Sequence, residues 1–296
     1  MTGNKNVPLT FMTVHAHPDD EVFGTGGTLA RLSNEGVRTV LVTSTLGENG
    51  EIVDPELDDA AKAAMFPRLG EVREQELKNS VAALGVHELR LLGFRDSGMA
   101  GTKENEDTAS YHRATFDEAV KRLVKHIREF KPQVIATYDA FGGYGHPDHV
   151  QAHRVTTIAF DVAGDSRMYP ELGLEAWQPS KLYYTALPRG FFQKMAAEMR
   201  AQGIDGPWNN PEMETDNWGT NDDVITTRFD VRKFMPKKLE AFRAHKTQIS
   251  PDNFMFLVPQ EKLTEGMGYE WFSLAKSKLP LTQNGELEED LFAGLR

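Results

Sequence analysis

The chain contains no cysteine among its 296 residues. That absence excludes disulfides, thiolate metal sites and cysteine nucleophiles together, so any metal would have to rest on nitrogen and oxygen donors. Long apolar runs are missing too, and no stretch approaches the ~20 residues needed to cross a bilayer. Residues 1–8 are mostly polar and the apolar run after them is short and ends in charge. Nothing there resembles a signal peptide, and a cytoplasmic location is the expectation. Positive charge is also in short supply. With 33 basic against 44 acidic side chains the formal charge is -11, which argues against nucleic acid or a membrane surface as partner, since both reward basic patches.

What is present is an alternation of short β-rich runs and longer helical periodicity. Strands are expected at 9–14, 38–45, 88–92, 134–138 and 181–187, and helices at 25–34 (with periodicity from 22), 69–84, 115–130 and 147–163. A further strand at 224–229, a helix at 236–245 and an acidic amphipathic tail at 285–296 follow. This order implies an α/β fold: a Rossmann-like, mainly parallel sheet with helices on both faces and a loop-rich C-terminal elaboration. The length suits a single domain over 1–296, with a core at 8–165 and a substrate-shaping part at 166–296. Segments 47–67, 94–112 and 203–223 are rich in Gly, Pro, Asn and acids, and loops this long are expected to shape a pocket.

Two of the strands run into unusual turns. After the first comes His15-Ala16-His17-Pro18-Asp19-Asp20-Glu21, and after the fourth comes Tyr144-Gly145-His146-Pro147-Asp148-His149. Open α/β sheets gather ligands at the carboxyl ends of their strands. His17 and Asp20, three apart with Pro18 suited to a first helical turn, could point to one spot, and His149 is the best-placed third donor. Two imidazoles, one carboxylate and an open position match catalytic zinc chemistry. Acids that merely complement a helix dipole are the plainer alternative; a second His-Pro-Asp cluster argues against it. Asp19, between two ligands, is free to act as general base. His146 is read as general acid or electrostatic stabiliser, with Asp148 orienting it and favouring its protonated form, and Tyr144 as a phenol able to stabilise an oxyanion. His153 is expected to pack. Gly24-Thr25-Gly26-Gly27 fails the dinucleotide fingerprint because Leu29 stands at its sixth position, so these glycines are read as allowing close packing or backbone approach to substrate.

His-Pro-Asp-Asp-Glu, Thr45-Leu46-Gly47-Glu48, Arg95-Asp96-Ser97-Gly98-Met99 and Gly145-His146-Pro147-Asp148-His149 follow the first four strands in order. Together they resemble the PIG-L/LmbE family of zinc-dependent N-acetylglucosaminyl deacetylases. The resemblance covers about the first 165 residues, with an echo at Arg243-Ala244-His245. It implies that His17, Asp20 and His149 bind Zn2+, with Fe2+ an alternative for such a donor set. It further implies that Asp19 is the base, that His146, Asp148 and Tyr144 assist the tetrahedral intermediate, and that Arg73 and Asp96 hold the sugar of a small amino-sugar substrate. On its own, Arg73 before Glu74 reads as a surface ion pair. The motifs look most like the mycothiol-pathway branch acting on glucosaminyl-inositol. Cleavage of a larger amide conjugate is the alternative, and a non-haem Fe(II) oxygenase a more distant one, since its triad usually sits on a β-barrel. The oligomeric state stays open, a homo-oligomer included.

Overall fold

Strand β1 (Thr10–His15) is buried along its whole length, as a strand covered on both faces must be. It pairs in parallel with β2 (Arg38–Thr43) on one side and with β4 (Val134–Thr137) on the other, Thr13 lying level with Leu41 and Ala136. Beyond β2 lies β3 (Glu88–Leu91), and beyond β4 lies β5 (Lys181–Ala186), both parallel. β7 (Tyr269–Ser277) runs antiparallel to β5 and carries the edge strand β6 (Thr227–Asp230), also antiparallel. The sheet order is β3-β2-β1-β4-β5-β7-β6. In this computed structural model the described residues are 8–201, 203, 219–280 and 286–296.

The helices are α1 (Asp20–Asn34), α2 (Asp59–Met65), α3 (Leu69–Leu84), α4 (Phe116–Phe130) and α5 (Gly142–Gly145) in the first half of the chain. They continue as α6 (Pro147–Val162), α7 (Arg189–Ala201), α8 (Met235–Ala244), α9 (Phe254–Leu257) and α10 (Gln260–Met267). Successive side chains of β1 point to opposite faces and so serve two cores. Phe11 packs with Leu29 and Leu32 of α1, Leu84 of α3 and Phe242 of α8. Met12 and Val14 pack with Leu123 and Ile127 of α4 and Val155 and Phe160 of α6. The mainly parallel sheet covered on both faces is therefore the observed architecture.

Several boundaries move. α1 begins at Asp20, ahead of the 22–25 window; Pro18 nevertheless lies before the helix instead of in its first turn, because Asp19 takes φ 97° at the cap position and keeps the residues before it out of the helix. β7 has no counterpart among the expected strands, because a wholly enclosed carboxylate, Glu270, interrupts the apolar alternation. Segment 47–67 contains α2, and 189–201 is helical. The tail docks: Leu291 and Phe292 are fully buried and Glu288 accepts from Lys181 at 2.6 Å. Of the expected loop 203–223, residues 204–218 lie outside the described residues, as does 285 of the tail. The glycine run serves packing, since a Cβ on Gly27 would stand 2.5 Å from Val231.

Candidate functional site

The chain passes from β1 outward to β2 and β3 and returns on the other side as β4, so the sheet has its topological switch point between β1 and β4. The turn after β1 and the turn after β4 stand side by side there, where open α/β sheets bind ligands. His17 and His149, far apart in sequence, meet at that point.

Three atoms form a near-equilateral triangle. His17 Nδ1 lies 3.3 Å from Asp20 Oδ2, His149 Nε2 lies 3.3 Å from the same oxygen, and the two nitrogens are 3.3 Å apart. The other nitrogen of each ring is committed. His17 Nε2 faces Asp148 Oδ2 at 3.2 Å and His149 Nδ1 faces the Gly142 carbonyl oxygen at 3.0 Å. Both partners only accept, so a neutral ring at either position keeps its hydrogen outward and turns a lone pair to the triangle. With both rings neutral, three such atoms repel one another unless a cation, a proton or a metal ion, lies among them. In tetrahedral zinc sites bonds of 2.0–2.1 Å set donor atoms about 3.3–3.4 Å apart, so this donor set fits a divalent ion.

The surroundings hold the triangle in shape. Asp20 Oδ2 accepts from the His17 amide at 2.8 Å and from the Tyr138 hydroxyl at 2.7 Å, and the Tyr138 ring stacks on His149 with centroids 4.2 Å apart. Burial works against charge on His17 and on Asp20. For His17 the carboxylates Asp148, Asp20 and Asp96 win and raise its pKa well above the imidazole value. For Asp20 the two histidines win and hold it well below the carboxylate range. The pocket thus favours one added positive charge. His17 also approaches Asp96 and Asp148 through Nε2, and His146 and His149 as a histidine trio. The carboxylates of the first of these sets are also bonded to neighbouring loops. Asp148 Oδ2 accepts the Ser97 amide at 2.9 Å and its other oxygen the Ser97 hydroxyl; Asp96 accepts the amides of Gly98 and Asn49 at 2.8 and 3.1 Å.

His146 differs from its expected setting. Its Nδ1 accepts the backbone N–H of Asp148 at 3.1 Å, capping α6, while the Asp148 carboxylate turns to His17 and Ser97. Asp148 therefore does not orient His146 through its side chain. Burial and the neighbouring His17 and His149 lower the His146 pKa to about 4. The ring is neutral with its hydrogen on Nε2, a donor and not an imidazolium.

Asp19 sits beside the triangle with its Oδ2 3.2 Å from Arg73 Nη2. Burial raises its pKa to about 6 against the pull of Arg73, which supplies the desolvation a base beside a cation requires. Arg73 is buried, not a surface partner of Glu74, which pairs with Lys78 at 2.6 Å. The guanidinium spends its other bonds on the carbonyls of Gly47 and Pro18 at 2.7 and 2.6 Å. Gly47, at φ 64°, is needed there: a Cβ would lie 2.0 Å from Nη1. Tyr144 is half-exposed, its ring edge-on to His149 at 4.9 Å; burial and Asp20 keep its phenol protonated. His153 packs, facing the Tyr138 carbonyl oxygen at 3.0 Å.

A cleft of about 600 Å³ opens over these groups, with His17, Asp19, Asp20, Arg73, Asp96, Tyr144 and His146 in its wall. The loops supply Asn49, Glu51, Phe66 and Met99, and Gln248 enters from beyond α8. A larger hollow of about 710 Å³ borders β5, β7 and the tail, but its Lys181 and Glu288 are paired with each other at 2.6 Å. Sequence reasoning missed Tyr138, which closes the strand expected at 134–138. It also passed over Ser80 and Gln248, which carry no local signal, and gave no role to Ser97, although that residue lies within the Arg95-Asp96-Ser97-Gly98-Met99 motif.

Residues 12–160 match the family described as PIG-L, GlcNAc-PI de-N-acetylase. Over 289 residues the chain is 43% identical to the 1D-myo-inositol 2-acetamido-2-deoxy-alpha-D-glucopyranoside deacetylase 1 of Catenulispora acidiphila, covering 96% of this chain and 88% of that one. The chain belongs to the PIG-L family. The corresponding deacetylase of Thermobifida fusca is 44% identical over 287 residues, with 95% of this chain and 98% of that one covered. In fold it is similar to the N,N'-diacetylchitobiose deacetylase from Pyrococcus horikoshii, with a TM-score of 0.61 at 20% identity, covering 94% and 89% of the two chains. The family resemblance drawn from the motifs is thereby borne out. The PIG-L match takes in both His-Pro-Asp turns and ends before the antiparallel strands. Among the described residues no helix is long and apolar enough to cross a membrane.

Proposed function

We propose that this chain is a metal-dependent N-deacetylase of an N-acetylglucosamine glycoside, and that the inositol glycoside named for its relatives is its substrate class. The observation that carries the reading is the triangle of three lone-pair atoms, 3.3 Å on each side, with the Asp19 carboxylate beside it. A zinc or ferrous ion held by His17, Asp20 and His149 would supply Lewis acidity and lower the pKa of a water, and the donor set suits either metal. Asp19 accepts a proton from the attacking water. His146 through Nε2–H, together with the Tyr144 hydroxyl, donates to the acetamide oxygen as charge builds on it. Because His146 is neutral, the proton that reaches the departing nitrogen comes from Asp19, giving acetate and the free amine. Asp148 fixes the tautomer of His17. Asp96 accepts from sugar hydroxyls, and Arg73 acts chiefly by holding Asp19 and the two loop carbonyls.

The test is release of free amine from the inositol glycoside, an aryl glycoside, N-acetylglucosamine and an N-acetylcysteinyl conjugate, by metal-stripped protein and by protein reloaded with Zn2+ or Fe2+. Metal-dependent turnover fastest on the inositol glycoside is expected. Turnover of the cysteinyl amide alone would move the enzyme to cleavage of larger conjugates. Asp19→Asn should lower kcat by about 10²–10⁴-fold with metal stoichiometry intact; near-normal turnover would remove Asp19 as the base.

A further inference from the structure

The conformation that aims Asp19 is itself unfavourable. Its φ of 97° is a left-handed value that costs a non-glycine residue of the order of 1–3 kcal/mol and persists only where the surroundings over-determine it. The Asp19 amide is held by Glu21 Oε2 at 2.9 Å. The other oxygen of Glu21 takes the Ser80 hydroxyl at 2.5 Å and His245 Nε2 at 2.7 Å. Glu21 and His245 are both at 0% exposure, so neither is a surface ornament and neither touches the cleft.

His245 stands directly after α8, at the end of a helix where the dipole favours a positive side chain. Burial opposes that charge, while Glu21, Asp19 and Glu76 raise its pKa. The segment is pinned from a second side, since Thr247 donates to Glu76 through its amide at 2.8 Å and its hydroxyl at 2.6 Å. Arg73, Glu76 and Ser80 lie three and four residues apart and so share one face of α3. One helix face thus grips Asp19 directly, grips Glu21, and anchors the segment bearing His245.

We infer that His245 is a positioning residue for the reaction: through Glu21 it locks the strained Asp19 peptide, so that the C-terminal part of the chain sets the aim of a carboxylate supplied by the N-terminal motif. The inference rests on the reading of Asp19 as base. His245 lies outside the 12–160 family match, and it does its work two contacts away from substrate.

The test compares His245→Ala, His245→Gln and Ser80→Ala with the wild type, each loaded with metal, in free-amine release from the inositol glycoside. His245→Ala should lower kcat by about 10–100-fold, the scale expected for a catalytic group displaced by an ångström, with KM and metal stoichiometry within twofold. His245→Gln, whose amide can still donate to Glu21, should recover most of the loss, and Ser80→Ala should show a smaller fall in kcat. The decisive comparison uses the Asp19→Asn background, where adding His245→Ala should change the residual rate by less than twofold. A normal kcat in folded, metal-loaded His245→Ala, or an equal loss in both backgrounds, would overturn the inference. If His245→Ala does not fold, the Gln and Ser80 variants carry the same comparison. Undiminished turnover in Asp19→Asn alone would instead sink the base assignment.

Discussion

Helix α1 borders two enclosed clusters of charge that differ in whether a cationic side chain completes them. In its middle, Glu270 Oε1 accepts the Gly27 amide at 2.8 Å and Lys238 Nζ at 2.6 Å, and Oε2 accepts the Thr28 amide at 2.7 Å. Lys238 donates further to the Phe23 carbonyl at 3.0 Å. Each charge there is met by a partner of opposite sign. At the N-terminal end of the same helix, His17 Nδ1, His149 Nε2 and Asp20 Oδ2 face one another at 3.3 Å on each side, with no lysine or arginine among them. Both clusters pay for desolvation, but only the first is complete without an added ion. A closed cluster of this kind fixes structure; an open one is a site.

The comparison can be broken at either end. The largest effect is expected for His149→Ala, which removes one corner of the triangle. Metal stoichiometry should fall close to zero and turnover with it; a fully metal-loaded variant would take His149 out of the donor set. Next comes Lys238→Met, which leaves Glu270 charged and enclosed. Removing one partner of a buried pair costs about 3–5 kcal/mol, read here as a lowered denaturant midpoint, while kcat of the folded fraction and metal content should stay unchanged. A loss of catalysis without a loss of stability would mean that the closed cluster also serves the reaction. The smallest effect belongs to Tyr138→Phe. It deletes the 2.7 Å bond to Asp20 while keeping the ring on His149, and should weaken metal affinity by about 10–100-fold in a chelator competition. Unchanged affinity would show that Asp20 is held by the His17 amide alone.

Much of this was readable in the residues. The His-Pro-Asp turns are local, and a strand ending in clustered imidazoles and carboxylates announces itself without any long-range contact. The parallel half of the sheet followed from periodicity for the same reason. What could not be read depends on partners distant in sequence. β7 is hidden because Glu270 is buried against Lys238, which an alternation of apolar residues cannot foresee. The hydrogen-bond partner of Asp148 could not be read either, because adjacency in sequence suggested His146, whereas α6 turns the carboxylate toward His17 on another element. Asp19 gave no sign of its left-handed backbone, since aspartate adopts such values only when its surroundings insist.

The triangle joins two turns separated by most of the parallel half of the sheet, and β1 must pair with β4 before it exists. An unfolded chain offers only the local pair His17 and Asp20. An ion that binds the assembled triangle and not the loose chain therefore shifts the folding equilibrium by mass action, and the unfolding midpoint climbs with the logarithm of free metal. Metal uptake would then work as a checkpoint on assembly: a molecule in which β1 and β4 have failed to pair offers the ion two donors and not three.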